Sequence, residues 1–121
     1  MPARERVQDL ITHVEQGRIL EAFEEFYADD VVMQENTAPS TTGKAANAKR
    51  EAEFLAGVKQ VYENRAVSFV VEGDRAVIHW IFDFTAHEGR RYRMEQVASQ
   101  TWRGDHIVHE RFYYDSASLA A

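Results

Sequence analysis

The stretch WRGDHIVHERFYYD, residues 102–115, places ionisable side chains inside an apolar segment. Its charged or titratable groups include His109, Glu110, Arg111 and Asp115, which is more charge than a simple core strand requires because ionised groups prefer water. Imidazole and carboxyl groups exchange protons efficiently when their surroundings bring their pKa values near neutrality. The segment therefore either lines a solvated pocket or presents its charges to water.

A second titratable residue, His79, lies between Ile78 and Trp80 in an aromatic segment. It could act as an acid, a base or a hydrogen-bond donor to a ligand, or it could simply bond to a neighbouring core group. His106 and His109 are three residues apart in a predicted strand, which directs them to opposite faces. Since no His-Glu-x-x-His or comparable ligand spacing occurs, we expect no metal site.

Composition narrows the class of protein. The chain has 121 residues, 45% of them hydrophobic, which suits a single domain spanning residues 1–121. Twenty acidic and 14 basic side chains give a net charge of −6, which argues against nucleic acid and anionic membranes as partners. The absence of cysteine is typical of a cytoplasmic protein. The sequence contains no recognisable signal-peptide core or membrane span.

The sequence also contains no phosphate-binding glycine loop and no nucleophile elbow. We therefore expect no cofactor.

Apolar residues at helical spacing predict a helix over residues 4–16, which Gly17 ends, and a second helix over 19–27. A short strand at 31–36 and an exposed loop at 37–42 follow. A third helix begins after Gly43 and ends at about residue 58. Its predicted inner side consists of Ala45, Ala48, Ala52 and Leu55.

The second half of the chain has the alternating pattern of β-strands. Turn residues divide it into four predicted antiparallel strands at 62–72, 76–86, 91–102 and 106–114. Helices segregated from strands indicate an α+β fold with a curved antiparallel sheet. Both faces of the strand at 76–86 are apolar, so one face should cover the helices and the other should meet a second subunit.

The run FYADDVVMQENTAPSTTG, the Ala-rich helix after it and the ending WRGDHIVHERFYYD resemble the SnoaL-like branch of the nuclear transport factor 2-like superfamily. The resemblance covers nearly the whole chain. It implies a cone-shaped α+β domain whose bent sheet and three helices enclose an apolar cavity, commonly as a homodimer. Members include polyketide cyclases, ketosteroid isomerases, limonene epoxide hydrolases and dehydratases, so it implies a fold and no single reaction.

Strand periodicity divides side chains between such a cavity and the exterior. In the strand at 91–102 the odd row is charged, so the even row should face the cavity. That row consists of Tyr92, Met94, Gln96, Ala98, Gln100 and Trp102. In the strand at 76–86 we expect the cavity row to be Val77, His79, Ile81 and Asp83. The dimer face would then comprise Ile78, Trp80, Phe82 and Phe84. In the last strand we expect Arg111, Tyr113 and Asp115 to face the pocket and Glu110 to point outward.

Similarity to ketosteroid isomerases implies that Glu35, five residues beyond Asp30, is a general base. Desolvation at the rim of an apolar cavity would raise its proton affinity. The alternative is a solvated residue at a strand end. The oxyanion-hole donors of that family fall at Leu10 and about Ala98, which cannot donate from their side chains, so steroid isomerisation is not expected.

Similarity to limonene epoxide hydrolases places Asp83 and Asp115 at catalytic carboxylate positions. That family has an arginine two residues before the first Asp, whereas this chain has Ile81 at that position. Epoxide hydrolysis is therefore not expected. SnoaL-type cyclases imply instead that Asp115 works with His79 or His109. The structural alternative is that Asp115 caps the strand and pairs with Arg111.

We therefore predict Glu35, Asp83 and Asp115 as acids and bases, with His79 assisting. Predicted ligand-binding residues are Tyr27, Met94, Gln96, Gln100, Arg111 and Tyr113. The leading hypothesis is cofactor-free proton transfer on a small apolar carbonyl or aromatic metabolite, as in a cyclase, isomerase or dehydratase. Alternatives are a non-catalytic ligand-binding dimer and a protein-interaction module with a filled cavity.

Overall fold

A computed structural model describes residues 2–119 of the chain. The helices are α1 (Arg4–Glu15), α2 (Ile19–Phe26) and α3 (Lys44–Ala56). The strands are β1 (Tyr27–Glu35), β2 (Thr41–Thr42), β3 (Val58–Glu72), β4 (Arg75–Ala86), β5 (Arg91–Arg103) and β6 (His106–Tyr114), and a 3₁₀ turn follows at Ser116–Leu119. The α+β class with three helices and one sheet is confirmed. No helix within residues 2–119 combines the length and apolar character needed to cross a bilayer.

The six strands form one sheet in the order β2-β1-β6-β5-β4-β3. The sheet is mixed rather than purely antiparallel, because β1 runs parallel to β6 while every other pair is antiparallel. A parallel neighbour requires a long crossover, which α3 and the long β3–β4–β5 meander provide between β1 and β6. The sheet thereby brings the first and last strands of the chain side by side.

The helical hairpin packs its apolar stripe on the sheet. Val7, Leu10 and Ile11 of α1 are buried, as are Phe23 and Phe26 of α2. The joint between the helices needs a left-handed residue, and Gly17 supplies it with φ of +79°. Apolar side chains of β4, β5 and β6, including Ile78, Trp102 and Ile107, complete this core.

Helix α3 is packed differently from the prediction. Ala45 and Ala52 are exposed, so that part of the predicted inner side is wrong, whereas Ala48 and Leu55 are partly buried as predicted. The inward side also carries Asn47 and Glu51. Asn47 is 4% exposed, and its side-chain amide donates to the backbone oxygens of Thr41 (3.0 Å) and Gly43 (2.8 Å). The helix is thus tied to the preceding loop at its start and buries little else, which leaves open space beneath it.

The β4 rows are also reversed relative to the prediction. Trp80 pairs with Gln96 and Phe82 with Met94, so the aromatic row of β4 shares a face with the even row of β5. This face covers the helices: Ile78 is fully buried and Trp80 is 4% exposed. The aromatic row therefore cannot form the outer dimer face. A homodimer through the outer face of the sheet stays a prediction, and in β4 that face carries the row of Val77, His79, Ile81 and Asp83.

A β-bulge in β6 decides which of its side chains point inward. Trp102 pairs with Ile107, yet the next residue back, Thr101, pairs with His109, so Val108 has no partner of its own. Such an extra residue reverses the alternation of the strand beyond it. Ile107 and Glu110 both point inward as a result, although they are three residues apart.

The reversed rows of β4 can be tested with a pair of neighbouring substitutions. Trp80→Ala should lower the free energy of unfolding by about 3–5 kcal/mol, because it removes a large buried ring. His79→Ala should change it by less than about 1 kcal/mol, since the imidazole is 36% exposed and its one ion pair, with Glu95, is at the surface. Urea unfolding of both variants measures this. The opposite order of effects would restore the original assignment of rows.

Candidate active site

A cavity of about 310 Å³ lies between the three helices and the sheet. Its walls are mainly aromatic and aliphatic, with contributions from Phe23, Met33, Phe54, Trp80, Phe82 and Phe112. The size lies at the lower end of the range for small-molecule sites. A largely apolar wall with a few polar groups favours a compact, mostly apolar ligand.

The most deeply buried acidic group of this cavity is Glu110 of β6, which is 2% exposed. Its Oε1 accepts a short hydrogen bond from the Tyr27 hydroxyl, and its Oε2 accepts one from Gln100 Nε2 at 2.7 Å. Both donors are themselves buried. The sheet order makes this cluster possible, because β6 lies between β1, which carries Tyr27, and β5, which carries Gln100.

The orientation of the Gln100 amide is set by its other neighbour. Trp102 Nε1 donates to Gln100 Oε1 at 3.0 Å. Indole nitrogen can only donate, so the amide oxygen must face Trp102 and the amide nitrogen must face Glu110. The chain of bonds from Trp102 through Gln100 to Glu110 therefore has one direction.

Burial raises the pKa of Glu110 from 4.5 to about 7, although the hydrogen bonds from Tyr27 and Gln100 act in the opposite direction. The negative charge of Glu51 adds to the increase. The pKa of Tyr27 is raised well above 10.0, first by burial and then by the charge of Glu110. Glu110 thus exchanges its proton near neutral pH, whereas Tyr27 remains a hydroxyl that can donate.

A second acid, Glu51, enters the cavity from α3. Burial raises its pKa, the charge of Glu35 raises it further, and Arg50 partly offsets both. Among residues 2–117, whose side chains are described, none forms a hydrogen bond to its carboxylate. Glu51 is therefore a partly desolvated carboxyl group available to a ligand.

Glu35 lies at the more open end of the cavity, with its side chain 43% exposed. Its carboxylate accepts hydrogen bonds from Arg50 Nη2 at 3.0 Å and from the Tyr114 hydroxyl at 3.2 Å. Arg50 is itself held by Thr41 Oγ1 at 2.9 Å. The predicted base thus lines the cavity, in a polar cluster at its rim.

Several predicted ligand-binding residues also line the cavity. They are Tyr27, Met94, Gln96 and Gln100. The even row of β5 therefore faces inward as expected, and Tyr27 reaches the cavity at the first residue of β1, directly after α2 ends. Together with Glu35, these residues are brought into one site.

Asp83 does not reach this site. It lies on the opposite face of β4, where Arg91 binds both carboxylate oxygens at 2.9 Å and Arg93 donates at 3.2 Å. These hydrogen bonds, with that from Arg91 first, lower the pKa of Asp83. A carboxylate held ionised by two guanidinium groups is a structural ion pair, so the expected inward orientation of Asp83 is wrong.

The other predicted residues also lie outside the cavity. His79 pairs with Glu95 at 3.4 Å on the outer face, and Tyr113 is 45% exposed. Asp115, just beyond β6, is exposed and accepts from the Ala117 backbone N–H at 3.0 Å. Arg111 donates to the backbone oxygen of Asn36 at 2.9 Å. The bulge at Val108 explains why Arg111, Tyr113 and Asp115 do not face the cavity, because it turns the odd-numbered residues of β6 away from the helices.

Sequence reasoning missed Glu110 and Glu51. Glu110 had been expected to point outward, and a regular hairpin across Gly104-Asp105 gives that result. In that regular hairpin, Glu110 lies one residue away from the position opposite Gln100, a predicted cavity residue. This closeness was the available signal. For Glu51 the signal was its spacing of four from Leu55, a predicted inward residue, which places the two on one side of a helix.

Metal ligation finds no support in this arrangement. Within the part of the chain that is described, residues 2–119, no group of three or more His, Asp or Glu side chains stands close enough to hold a metal ion.

Residues 7–110 match the SnoaL-like domain family, so the chain belongs to this family. No curated protein sequence matches it. The family match and the similar structures support a fold of the ligand-binding or isomerase and cyclase type, and the family itself does not specify one activity.

Solved structures with this fold extend over nearly the whole chain. A SnoaL-like protein from Mesorhizobium loti, provisionally named a polyketide cyclase, is 27% identical over 94% of this chain and 100% of its own, with a TM-score of 0.80. A ketosteroid isomerase-like protein from Catenulispora acidiphila in complex with trimethylamine is 17% identical over 97% and 90%, with a TM-score of 0.80. TerC co-crystallised with polyporic acid is 16% identical over 95% and 92%, with a TM-score of 0.79.

The raised pKa of Glu110 predicts a specific dependence of stability on pH. The folded protein holds this proton more tightly than the unfolded chain, so the contribution to stability is complete below pH 4.5 and is lost as pH rises to about 7. When the pH is raised from 4.5 to 8, the free energy of unfolding of Glu110→Gln should therefore rise relative to that of the parent by on the order of 2–3 kcal/mol. Urea unfolding at both pH values measures the difference.

The matched control is Glu53→Gln, which removes the same charge from an exposed position on α3. Its difference from the parent should stay nearly constant between the two pH values. An equally constant difference for Glu110→Gln would show that Glu110 is not desolvated as described.

Proposed function

We propose that this protein binds a small, largely apolar carbonyl or aromatic compound and transfers protons on it by general acid-base catalysis, as cyclases, isomerases and dehydratases do. The observation that carries the proposal is Glu110, a carboxyl group buried at the wall of an apolar cavity with a pKa of about 7. A group that titrates near the working pH can both give and take a proton efficiently.

The reaction needs a second proton carrier, and Glu51 has the properties of one. Moving a proton between two atoms of a carbonyl compound takes a base at carbon and an acid at oxygen. Glu51 reaches the cavity with no hydrogen-bonded partner in the described part of the chain, and its raised pKa makes it a stronger base than an ordinary carboxylate. We assign the base to Glu51 and the acid to Glu110, whose proton would reach the ligand oxygen through the hydroxyl of Tyr27.

Glu35 has a different role in this proposal. Its carboxylate is bound by Arg50 and Tyr114 at the more exposed end of the cavity. Such a cluster can orient the polar end of a ligand while the apolar part occupies the aromatic walls. Glu35 is therefore proposed as a ligand-positioning residue.

The similar structures support a ligand of this class. The Mesorhizobium loti protein is provisionally named a polyketide cyclase, and TerC was co-crystallised with polyporic acid. The open cavity gives no support to a protein-interaction module, for which we expected a filled interior. Non-catalytic binding of the same class of ligand is the alternative that experiment must separate.

Exchange of carbon-bound hydrogen tests the proposal without knowledge of the natural substrate. In D₂O, the protein should accelerate deuterium incorporation next to the carbonyl of a ketone such as 2-acetylnaphthalene or 2-tetralone. Glu51→Gln and Glu110→Gln should each slow this exchange by at least about 10²-fold, because each removes one proton carrier. Proton NMR follows the loss of the signal.

The exposed Glu53→Gln variant should exchange at the parent rate. Saturable ketone binding with no accelerated exchange would identify the protein as a binding protein. Equal exchange rates in all three variants would exclude both carboxyl groups from the reaction.

A further inference from the structure

We infer that the cavity binds ligands that present a neutral hydrogen-bond-accepting oxygen to the Tyr27 hydroxyl, and that Glu110 takes up a proton when they bind. The inference rests on the proposed function because it concerns the same cavity. It goes further by naming the functional group of the ligand, the atom that contacts it and the proton linked to binding.

The direction of the buried hydrogen bonds determines where a proton on Glu110 can lie. Gln100 Nε2 only donates, and the Trp102 indole holds the amide in that orientation. Glu110 Oε2 therefore accepts from Gln100 in both protonation states. A carbonyl oxygen accepts better than the hydroxyl oxygen of a carboxylic acid, so this bond favours Oε2 as the carbonyl oxygen and places the added proton on Oε1, which faces Tyr27.

This placement changes what Tyr27 can do. When Glu110 is ionised, the Tyr27 hydroxyl donates to Oε1 and its hydrogen is occupied. When Oε1 carries a proton, that proton fills the space between the two oxygens, so Glu110 donates and Tyr27 accepts. The Tyr27 hydrogen must then turn elsewhere, and the side chain lines the cavity. A ligand oxygen there would accept it.

The charges around Glu110 favour the protonated arrangement when a ligand excludes water. From β1 it faces Tyr27, from β5 it faces Gln100 and Trp102, and from α3 it faces the like charge of Glu51. No cation among residues 2–119 forms an ion pair with it. The nearest guanidinium lining the cavity, that of Arg50, is paired with Glu35. A ligand that buried this site further would stabilise the neutral form, whereas an anionic ligand would add repulsion.

Four probes of similar shape distinguish the possibilities. They are 2-acetylnaphthalene (a ketone), 2-isopropylnaphthalene (its hydrocarbon analogue), 2-naphthoate (an anion) and 1-(2-naphthyl)ethylammonium (a cation). Isothermal titration calorimetry at pH 6 and pH 8.5, in two buffers of different ionisation enthalpy, gives both affinity and proton uptake.

At pH 6 the ketone should bind at least about tenfold more tightly than the hydrocarbon, and the anion should bind most weakly. At pH 8.5 the ketone should weaken by roughly 10- to 30-fold, because the binding-competent protonated form becomes a small fraction of the protein. About one proton should be taken up per ketone bound at pH 8.5. Hydrocarbon affinity should fall less than ketone affinity between the two pH values, because the hydrocarbon only excludes water from Glu110 and accepts no hydrogen bond from Tyr27.

Substitutions separate this linkage from a merely structural role. Tyr27→Phe should remove the advantage of the ketone over the hydrocarbon. Glu110→Gln should keep ketone binding and abolish its pH dependence, because the glutamine NH₂ donates to Tyr27 as the protonated carboxyl does. Tyr62→Phe, which removes an exposed hydroxyl that is bonded to Thr85 Oγ1 and lies outside the cavity lining, should retain the pH dependence of the parent.

Three results would overturn the inference: a ketone no tighter than the hydrocarbon at pH 6, a cation tighter than the ketone, or an unchanged pH dependence in Glu110→Gln. The proposed function fails separately. Intact proton-linked ketone binding without deuterium exchange would reject catalysis alone, and exchange without proton linkage would reject this inference alone.

Discussion

The desolvated carboxyl group of Glu110 is the constraint on which the cavity depends. A buried polar group without partners costs several kcal/mol, so its neighbours must satisfy it. Tyr27 and Gln100 do so directly, and Trp102 orients the amide. No buried side-chain nitrogen or oxygen among residues 2–119 lacks a partner. The polar groups around Glu110 are thus held by one another, while most of the remaining cavity wall is apolar.

The sheet supplies this arrangement through two features of its pairing. The parallel pair of β1 and β6 places the start of β1 beside the last strand, so that Tyr27 reaches Glu110 across 83 positions of sequence. The bulge at Val108 then brings Glu110 opposite Gln100. Bulges commonly redirect a side chain next to a functional site. Here one extra residue in β6 turns the row that contains Glu110 from the solvent to the cavity.

Helix α3 explains why space remains for a ligand. Its inward side carries polar or partly buried groups, Asn47, Glu51 and Leu55, rather than a continuous apolar stripe. The hairpin of α1 and α2 builds the core, whereas α3 covers the open end and contributes Glu51 and Arg50. Stability and site chemistry are therefore carried largely by different helices.

The amino-acid sequence determined the α+β class, the first two helices and the inward row of β5, because each follows from a local period of apolar and charged residues. It also placed Glu35 and Tyr27 within reach of a cavity. The tertiary structure alone decided the rows of β4 and β6 and the inner side of α3. When both rows of a strand are apolar, as in the strand that contains Trp80, periodicity alone does not determine which row faces inward. Cross-strand register and a single unpaired residue made Glu110, rather than Asp83 or Asp115, the buried acid that faces the cavity.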